Sequence, residues 1–167
     1  MEKGSSQENS EIRNLFDMDQ KDRHENLYKN DPKLFVNRDN ERYKKAVEFY
    51  TKHKKEILVL NVSDKYHLAM IFQHGHKPED YLRTQELALQ AVDEGDDRGR
   101  WLSKAAEDRH LGSIGEKQKW GTQYKVIENG EWQLLPMQTY EESGVTDEMR
   151  KMWNVPLCSE SESFNKK

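Results

Sequence analysis

The stretch Gln118–Gln123 reads Gln-Lys-Trp-Gly-Thr-Gln and leads directly into the clearest hairpin pattern of the chain. Two short runs, Tyr124–Ile127 and Glu131–Leu135, flank the pair Asn129-Gly130. An Asn-Gly pair tolerates positive φ and fits a two-residue type I′ turn, which is the strongest short-range hairpin signal. The sequence therefore predicts a β-hairpin over 120–136, with a strongly polar segment at its mouth.

The remainder of the chain carries helical patterns, and Ser10, Ser63 and Thr146 are the predicted N-caps. We expect helices over the ranges 10–28, 39–55, 63–74, 79–93, 97–110 and 147–153. Segment 57–62 is short and β-branched, so it fits either a strand or a helix end. The predicted fold is mainly α (α+β). It is a single-domain bundle of about five helices with a C-terminal β-hairpin and a short final helix.

The length of 167 residues is usual for one domain. We expect that domain over 10–157, between mobile tails over 1–9 and 158–167. The net charge of −4 argues against a general nucleic-acid surface, which needs an excess of basic residues. The sequence does not indicate an oligomeric state.

Several features predict a soluble, cytoplasmic protein without a membrane partner. The single cysteine, Cys158, cannot form an internal disulfide, which fits a reducing compartment. Residues Met1–Glu11 contain no apolar core, so no signal peptide is expected. The longest apolar run, Ile57–Leu60, is far shorter than the roughly 20 residues of a membrane span.

Charged residues continue the buried stripe of the first predicted helix. The stripe begins with Ile12 and Leu15 and runs on through Asp19 and Arg23. Burying a carboxylate or a guanidinium is costly unless it is paired, and these two stand at i and i+4, where they can pair with each other. They form either a structural ion pair or the charged lining of a pocket.

Gln73 and His74 end a helix whose other residues are largely apolar. His74 fits a structural role at a helix C-terminus, but its ordinary pKa near neutrality also makes it the best general acid or base of the chain. The spacing of His67, His74 and His76 does not match a recognised metal site, so no metal site is predicted.

Two further polar clusters lie near the hairpin. Asp108-Arg109 falls on the inner face of its predicted helix, where Arg109 is suited to a two-pronged grip on a carboxylate or phosphate. Gln118 and Thr122-Gln123 sit beside Gly121, where the backbone can be closely approached. The alternative is a turn that satisfies buried backbone groups. The chain has neither a P-loop nor a Gly-x-Ser-x-Gly motif, and no cofactor is predicted.

These motifs occur in a characteristic order: Asp19-Gln20-Lys21-Asp22-Arg23, Gln73-His74, Asp108-Arg109 and Gln118-Lys119-Trp120-Gly121-Thr122-Gln123. The order resembles a widespread bacterial family that is labelled only as a domain of unknown function. Its members typically show Asp-Gln-x-x-Arg, Gln-His-Ala-Asp, Tyr-Leu-x-Asp-Arg and Gln-x-Tyr-Gly-Thr-Gln. The resemblance spans about residues 11–157. It implies a shared fold and a shared polar site, but it brings no established activity.

The chain also departs from that family pattern. Gln-His-Ala-Asp is replaced by Gln-His-Gly-His at 73–76, which removes a carboxylate, and the Tyr before Gly-Thr-Gln is Trp120. The family's Gly-Trp-Pro segment is missing around Lys54–Val62. If the lost carboxylate were essential, this member would be inactive or altered in its chemistry.

Three interpretations of the polar residues stay open. The first is an enzyme, such as a hydrolase or group transferase, that acts on a small polar or anionic substrate. The second is a non-catalytic module that binds an anionic ligand or a partner protein, and the third is a structural network. The candidate catalytic residues are His74, Asp108 and Asp19, and the candidate substrate-binding residues are Arg23, Gln73, Arg109, Gln118, Thr122 and Gln123.

Overall fold

A computed structural model of the chain describes residues 7–128 and 130–157. Of the predicted mobile tails, residues 1–6 and 158–167 lie outside this part of the chain, and so does Asn129 of the predicted turn. None of the helices within these two ranges has both the length and the apolar character that a membrane span requires.

The described residues form eight helices and one two-stranded antiparallel sheet, so the fold is mainly helical, as predicted. In chain order the elements are α1 (Ser10–His24), α2 (Leu27–Asn30), α3 (Pro32–Lys54), α4 (Val62–Phe72), α5 (Pro78–Asp93), α6 (Arg98–Ser113), β1 (Tyr124–Val126), β2 (Trp132–Leu134), α7 (Tyr140–Ser143) and α8 (Asp147–Met152). The hairpin near the C-terminal end and the short final helix are both present.

Two helices begin on asparagine rather than on the predicted serine. The Asn9 side chain accepts two N–H groups of the first turn of α1, and the Asn61 side chain accepts the Asp64 N–H at the start of α4. Asn and Ser are about equally good N-cap residues. The residue type alone therefore could not show which of two nearby positions caps the helix. The Asp64 carboxylate also accepts the Asn9 N–H at 2.9 Å, which joins the beginnings of α1 and α4.

Helix α3 begins at Pro32, well before the predicted start at residue 39. Proline fits the first turn of a helix, where its missing N–H is not needed, and the Asp31 side chain caps that turn. The first predicted helix is correspondingly shorter, because Asn26 adopts positive φ and separates α1 from α2. Residues 57–61 form neither a strand nor a helix end, and α4 starts directly after them.

The main core lies where α1, α3, α4, α5 and α6 meet. Helices α5 and α6 approach each other closely at Gly99, where an added Cβ would overlap the carbonyl oxygen of Ala88. Only glycine fits that crossing. The buried core residues are Ile12, Leu15, Ala46, Leu60, Leu68, Ala69, Ile71, Phe72, Leu87, Ala88 and Leu102.

The hairpin has a longer loop than predicted. Its register is Tyr124↔Leu134, Lys125↔Gln133 and Val126↔Trp132. The Ile127 N–H donates to the Glu131 carbonyl at 2.9 Å and the Gly130 N–H donates to the Ile127 carbonyl at 2.8 Å, whereas a two-residue turn would join Glu128 to Glu131. The predicted two-residue type I′ turn is therefore wrong. Gly130 adopts a φ of 83°, and three-residue loops commonly place a glycine in that conformation.

A second, smaller core joins the hairpin mouth to the C-terminal helices. Trp120, Val145 and Val155 are buried together there. Arg150, only 1% exposed, donates to the carbonyls of Trp120 at 2.7 Å and Pro156 at 3.0 Å. The predicted Thr146 N-cap of α8 is confirmed. This packing holds residues 118–123 against α6.

Candidate functional site

The predicted pair on α1 exists and extends to α3. Arg23 Nε donates to Asp19 Oδ1 at 3.0 Å, and the other end of the guanidinium donates to Asp39 Oδ1 at 2.9 Å. Asp19 is 1% exposed, and burial raises its pKa although Arg23 and Arg42 act in the opposite direction. The pair is thus the edge of a larger network between two helices.

Arg42 lies at the centre of that network and is 3% exposed. It donates to Asp22 at 2.6 Å and to Asp39 at 3.2 Å, and its Nε is 3.7 Å from Asp19. Arg38 donates to the second oxygen of Asp22 at 2.8 Å. No sequence pattern pointed to Arg38, Asp39 or Arg42, although they supply half of the charges in this cluster.

His74 lies at the C-terminal end of α4, against the network. Its Nε2 is buried without a hydrogen bond, 3.6 Å from Asp19 Oδ2. Burial and the positive charges of Arg23, Arg109 and Arg42 lower the pKa of His74 to about 3. The imidazole is therefore neutral near pH 7, and its contact with Asp19 is not an ion pair.

Arg109 reaches from α6 towards the same place. It donates to the Gln73 carbonyl at 2.6 Å and, through Nε, to Gln123 Oε1 at 3.0 Å. Among the carboxylates of residues 7–128 and 130–157, none lies within 4.0 Å of this guanidinium. Burial lowers the pKa of Arg109, but an arginine stays charged in proteins. Arg109 is thus a half-buried cation bonded to neutral acceptors.

A cleft of about 470 Å³ opens between α3, the turn after α4, and α6. Arg23, His74 and Arg109 contribute polar groups, and α3 contributes Phe35, Val36, Asp39 and Asn40. A smaller recess of about 170 Å³ shares His74 with the cleft and continues towards the start of α5. Four sequence-predicted residues therefore line one opening: Arg23, Gln73, His74 and Arg109.

Asp108 is held differently, by the loop that leads to the hairpin. Its carboxylate accepts the N–H groups of Lys119, Trp120 and Thr122 at 2.7, 2.8 and 2.9 Å and the Thr122 hydroxyl at 2.7 Å. Gly121 adopts a φ of 73°, which L side chains rarely adopt. Burial raises the pKa of Asp108, and the donors from Trp120 and Thr122 oppose that rise. Both oxygens are thus committed to shaping the loop.

Gln118 closes the hairpin from within. Its amide nitrogen donates to the carbonyls of Gln123 and Leu135, and its oxygen accepts the Gln123 N–H. Gln118 and Thr122 are both buried, and their side chains satisfy backbone or carboxylate groups. Gln123 connects this loop to Arg109, beside a second cleft of about 430 Å³ on the far side of that arginine.

The predicted residues therefore divide into two groups. Arg23, Gln73, His74 and Arg109 line the first cleft, with Asp19 beneath His74. The second group organises the hairpin mouth and is bonded to the cleft wall through Arg109. It comprises Asp108, Gln118, Thr122 and Gln123.

Replacing His74 with Gln is expected to reduce the loss of stability on acidification. Between the ordinary pKa of 6.5 and the folded pKa of about 3, the unfolded chain binds a proton at this imidazole and the folded chain does not. The stability that depends on a neutral His74 is therefore fully present above pH 6.5, and it is lost as the pH drops towards 3. Urea denaturation at about pH 7.5 and about pH 5 should show an acid-induced loss roughly 2 kcal/mol smaller in His74→Gln.

His24→Gln is the control for that measurement, because His24 is an exposed imidazole on α1. It should keep the pH dependence of the unsubstituted protein. Asp19 lies 3.6 Å from His74, so the difference reports the titration of His74 together with its coupling to Asp19. Equal pH dependence in the unsubstituted protein and His74→Gln would show that His74 titrates normally.

The described residues include no group of three or more His, Cys, Asp or Glu side chains that could hold a metal ion. Comparisons with models of protein families, with curated proteins and with solved structures find no match for this chain. The resemblance to the bacterial family therefore stays a prediction.

Proposed function

We propose that the protein binds a small anionic ligand in the cleft between Arg23, His74 and Arg109. The observation that carries this proposal is the unbalanced charge of Arg109. Removing a charge from water is costly unless it is paired, and the half-buried Arg109 has only neutral acceptors among the described residues. An anion entering the cleft would supply the missing counter-charge.

The neutral state of His74 supports the same function. A neutral imidazole can donate one hydrogen bond or accept one, and it does not compete with the two guanidinium groups for the anion. Arg23 is already bonded to Asp19 and Asp39, so it would orient the ligand while Arg109 supplies most of the attraction.

The contact of His74 with Asp19 supports a second candidate, an enzyme that acts on the bound anion. Asp19 would orient the imidazole, and His74 would transfer the proton in a hydrolase or group-transfer reaction. The low pKa makes His74 a weak base in the ligand-free protein. A bound anion would raise that pKa, because it would offset the positive charges of Arg23 and Arg109.

Replacing Arg109 with Gln is expected to weaken binding of small anions by about 10- to 100-fold, because one charge-assisted interaction is lost. Calorimetric titration with small carboxylates and with inorganic phosphate measures the affinity. Thermal unfolding provides a second readout, since a ligand of the native state raises the melting temperature.

Arg98→Gln is the matched control, because Arg98 stands on the same helix and is paired with Asp96 at 2.6 Å. It should retain the anion affinity of the unsubstituted protein. Equal affinity of that protein and Arg109→Gln would contradict the proposal. Chemical analysis of the ligand after incubation separates the two candidates: an unchanged ligand supports binding, and a product supports the enzyme.

A further inference from the structure

The charges of the α1–α3 network and of Arg109, which face the cleft from opposite sides, balance except for one. Three arginines and three aspartates form the network between α1 and α3, in which every carboxylate lies within bonding distance of at least one guanidinium. These six residues are Arg23, Arg38, Arg42, Asp19, Asp22 and Asp39. Arg109 adds a seventh charge without a carboxylate partner in the described chain, so the cleft carries an excess of one positive charge.

This excess suits one negative charge better than two. A dianion would leave one charge uncompensated near Asp39, which lines the same opening, and near Asp19, which lies beneath His74. His74 does not supply a second positive charge, because its Nε2 is buried and it is surrounded by three guanidinium groups. His76 is exposed at the rim, where solvent screens its interactions.

The apolar part of the cleft consists of Phe35, Val36 and Tyr81, and it lies beside Asp39 and Asn40 of α3. Phe35 lies against the Arg23 guanidinium, 5.2 Å from ring centroid to Cζ, and Val36 is 53% exposed at the rim. The ring of Tyr81 also lines the cleft, while its hydroxyl is bonded to the Gly75 carbonyl at 3.0 Å. These three side chains offer contact surface but few free polar atoms, so a compact, fully hydrated anion would leave them unused.

Resting on the anion-binding function, we propose that the ligand is a hydrophobic monocarboxylate: one carboxylate bound by Arg109 and Arg23, joined to an aryl or alkyl group that packs on Phe35, Val36 and Tyr81. The carboxylate matches the single excess charge and the planar fork of a guanidinium. The apolar group covers the exposed side chain of Val36. Phosphate monoesters, which are dianions near neutral pH, are disfavoured by the same charge balance.

Four probes test the two parts of this ligand by calorimetric titration of the full chain at about pH 8, where a phosphonate, like a phosphate, is doubly charged. Benzoate and acetate share a carboxylate and differ in the apolar group. Benzenesulfonate and phenylphosphonate share a ring and a three-oxygen head, but carry one and two charges. Benzoate should bind at least about tenfold more tightly than acetate, and phenylphosphonate should bind no more tightly than benzenesulfonate.

Val36→Ser locates the apolar group. Because Val36 is exposed, this substitution should leave the fold intact, weaken benzoate severalfold and leave acetate unchanged. Val59→Ser is the control, since Val59 is 74% exposed and is not part of the cleft lining. It should bind both carboxylates as the unsubstituted protein does.

The outcomes separate this inference from the function on which it rests. Binding that depends on Arg109 but favours phenylphosphonate, or that is equal for acetate and benzoate, would overturn the monocarboxylate and keep the anion site. A benzoate affinity that Val36→Ser does not change would also overturn it. Binding of none of the four probes, or binding that Arg109→Gln leaves unchanged, would overturn both.

Discussion

Asp108→Ala is expected to lower the free energy of unfolding by about 3–5 kcal/mol, because each buried donor left without an acceptor costs about 1–3 kcal/mol. Three backbone N–H groups and the Thr122 hydroxyl lose their only described acceptor in this variant. The loop can relax and admit water, so the sum of the individual costs is an upper bound. Urea denaturation followed by tryptophan fluorescence measures the change.

Amide hydrogen exchange localises the same effect. The N–H groups of Trp120 and Thr122 should exchange much faster in Asp108→Ala, whereas amides at the centre of α4 should follow only the global loss of stability. Asp108→Asn keeps one acceptor oxygen, so its loss should be smaller than that of Asp108→Ala.

The neighbouring carboxylate provides the control. Glu107 accepts the Trp120 indole N–H at 2.8 Å and is partly exposed. Glu107→Gln keeps an acceptor oxygen and should cost less than about 1 kcal/mol. If Asp108→Ala cost no more than Glu107→Gln, the loop-shaping role of Asp108 would be contradicted. Asp108 would then remain a candidate catalytic residue, as the sequence predicts.

The order of helices and the hairpin could be predicted because their signals are local. Asn129-Gly130 marks the hairpin, and Thr146 marks the final helix. The loop length could not be predicted from that pair alone, since Asn-Gly also fits a three-residue connection in which Gly130 takes the positive φ. The start of α3 was misplaced because a proline that ends one helix can also begin the next.

Half of the charge network was missed because its members lie on different helices. Arg42 and Asp39 fall within the predicted helix over 39–55, one and two helical turns before the buried Ala46. Their positions in the sequence did not show that α1 would bring Asp19 against them. The apolar residues of the cleft carried no signal either, because Phe35 and Tyr81 meet there only through tertiary packing.

Arg42→Met is expected to lower the free energy of unfolding by about 3–5 kcal/mol, since removing one partner of a buried ion pair leaves an uncompensated charge. Asp19 and Asp22 are 1% and 2% exposed, and Arg42 is the only described cation that approaches both within 4.0 Å. Methionine fills much of the same volume as arginine. The decrease in the free energy of unfolding therefore reports the missing charge rather than a cavity. Urea denaturation at neutral pH measures it.

Arg38→Met is the matched control, because Arg38 bonds the same carboxylate at 2.8 Å but has a side chain 41% exposed. Its loss should be about 1 kcal/mol or less, as for other solvent-exposed pairs. Equal losses in the two variants would show that burial does not strengthen the network. The double variant Arg42→Met/Asp22→Asn should recover part of the loss, because it removes a carboxylate that Arg42 would otherwise compensate.

The charge balance of the cleft connects this network to ligand binding. Arg42→Met removes the cation that offsets Asp19 and Asp39, so the excess positive charge at Arg109 would be cancelled. Where the variant remains folded, its affinity for benzoate should fall even though Arg42 does not line the cleft. An unchanged affinity would mean that Arg109 attracts the anion through direct contact alone and that the network serves only to hold α1 against α3.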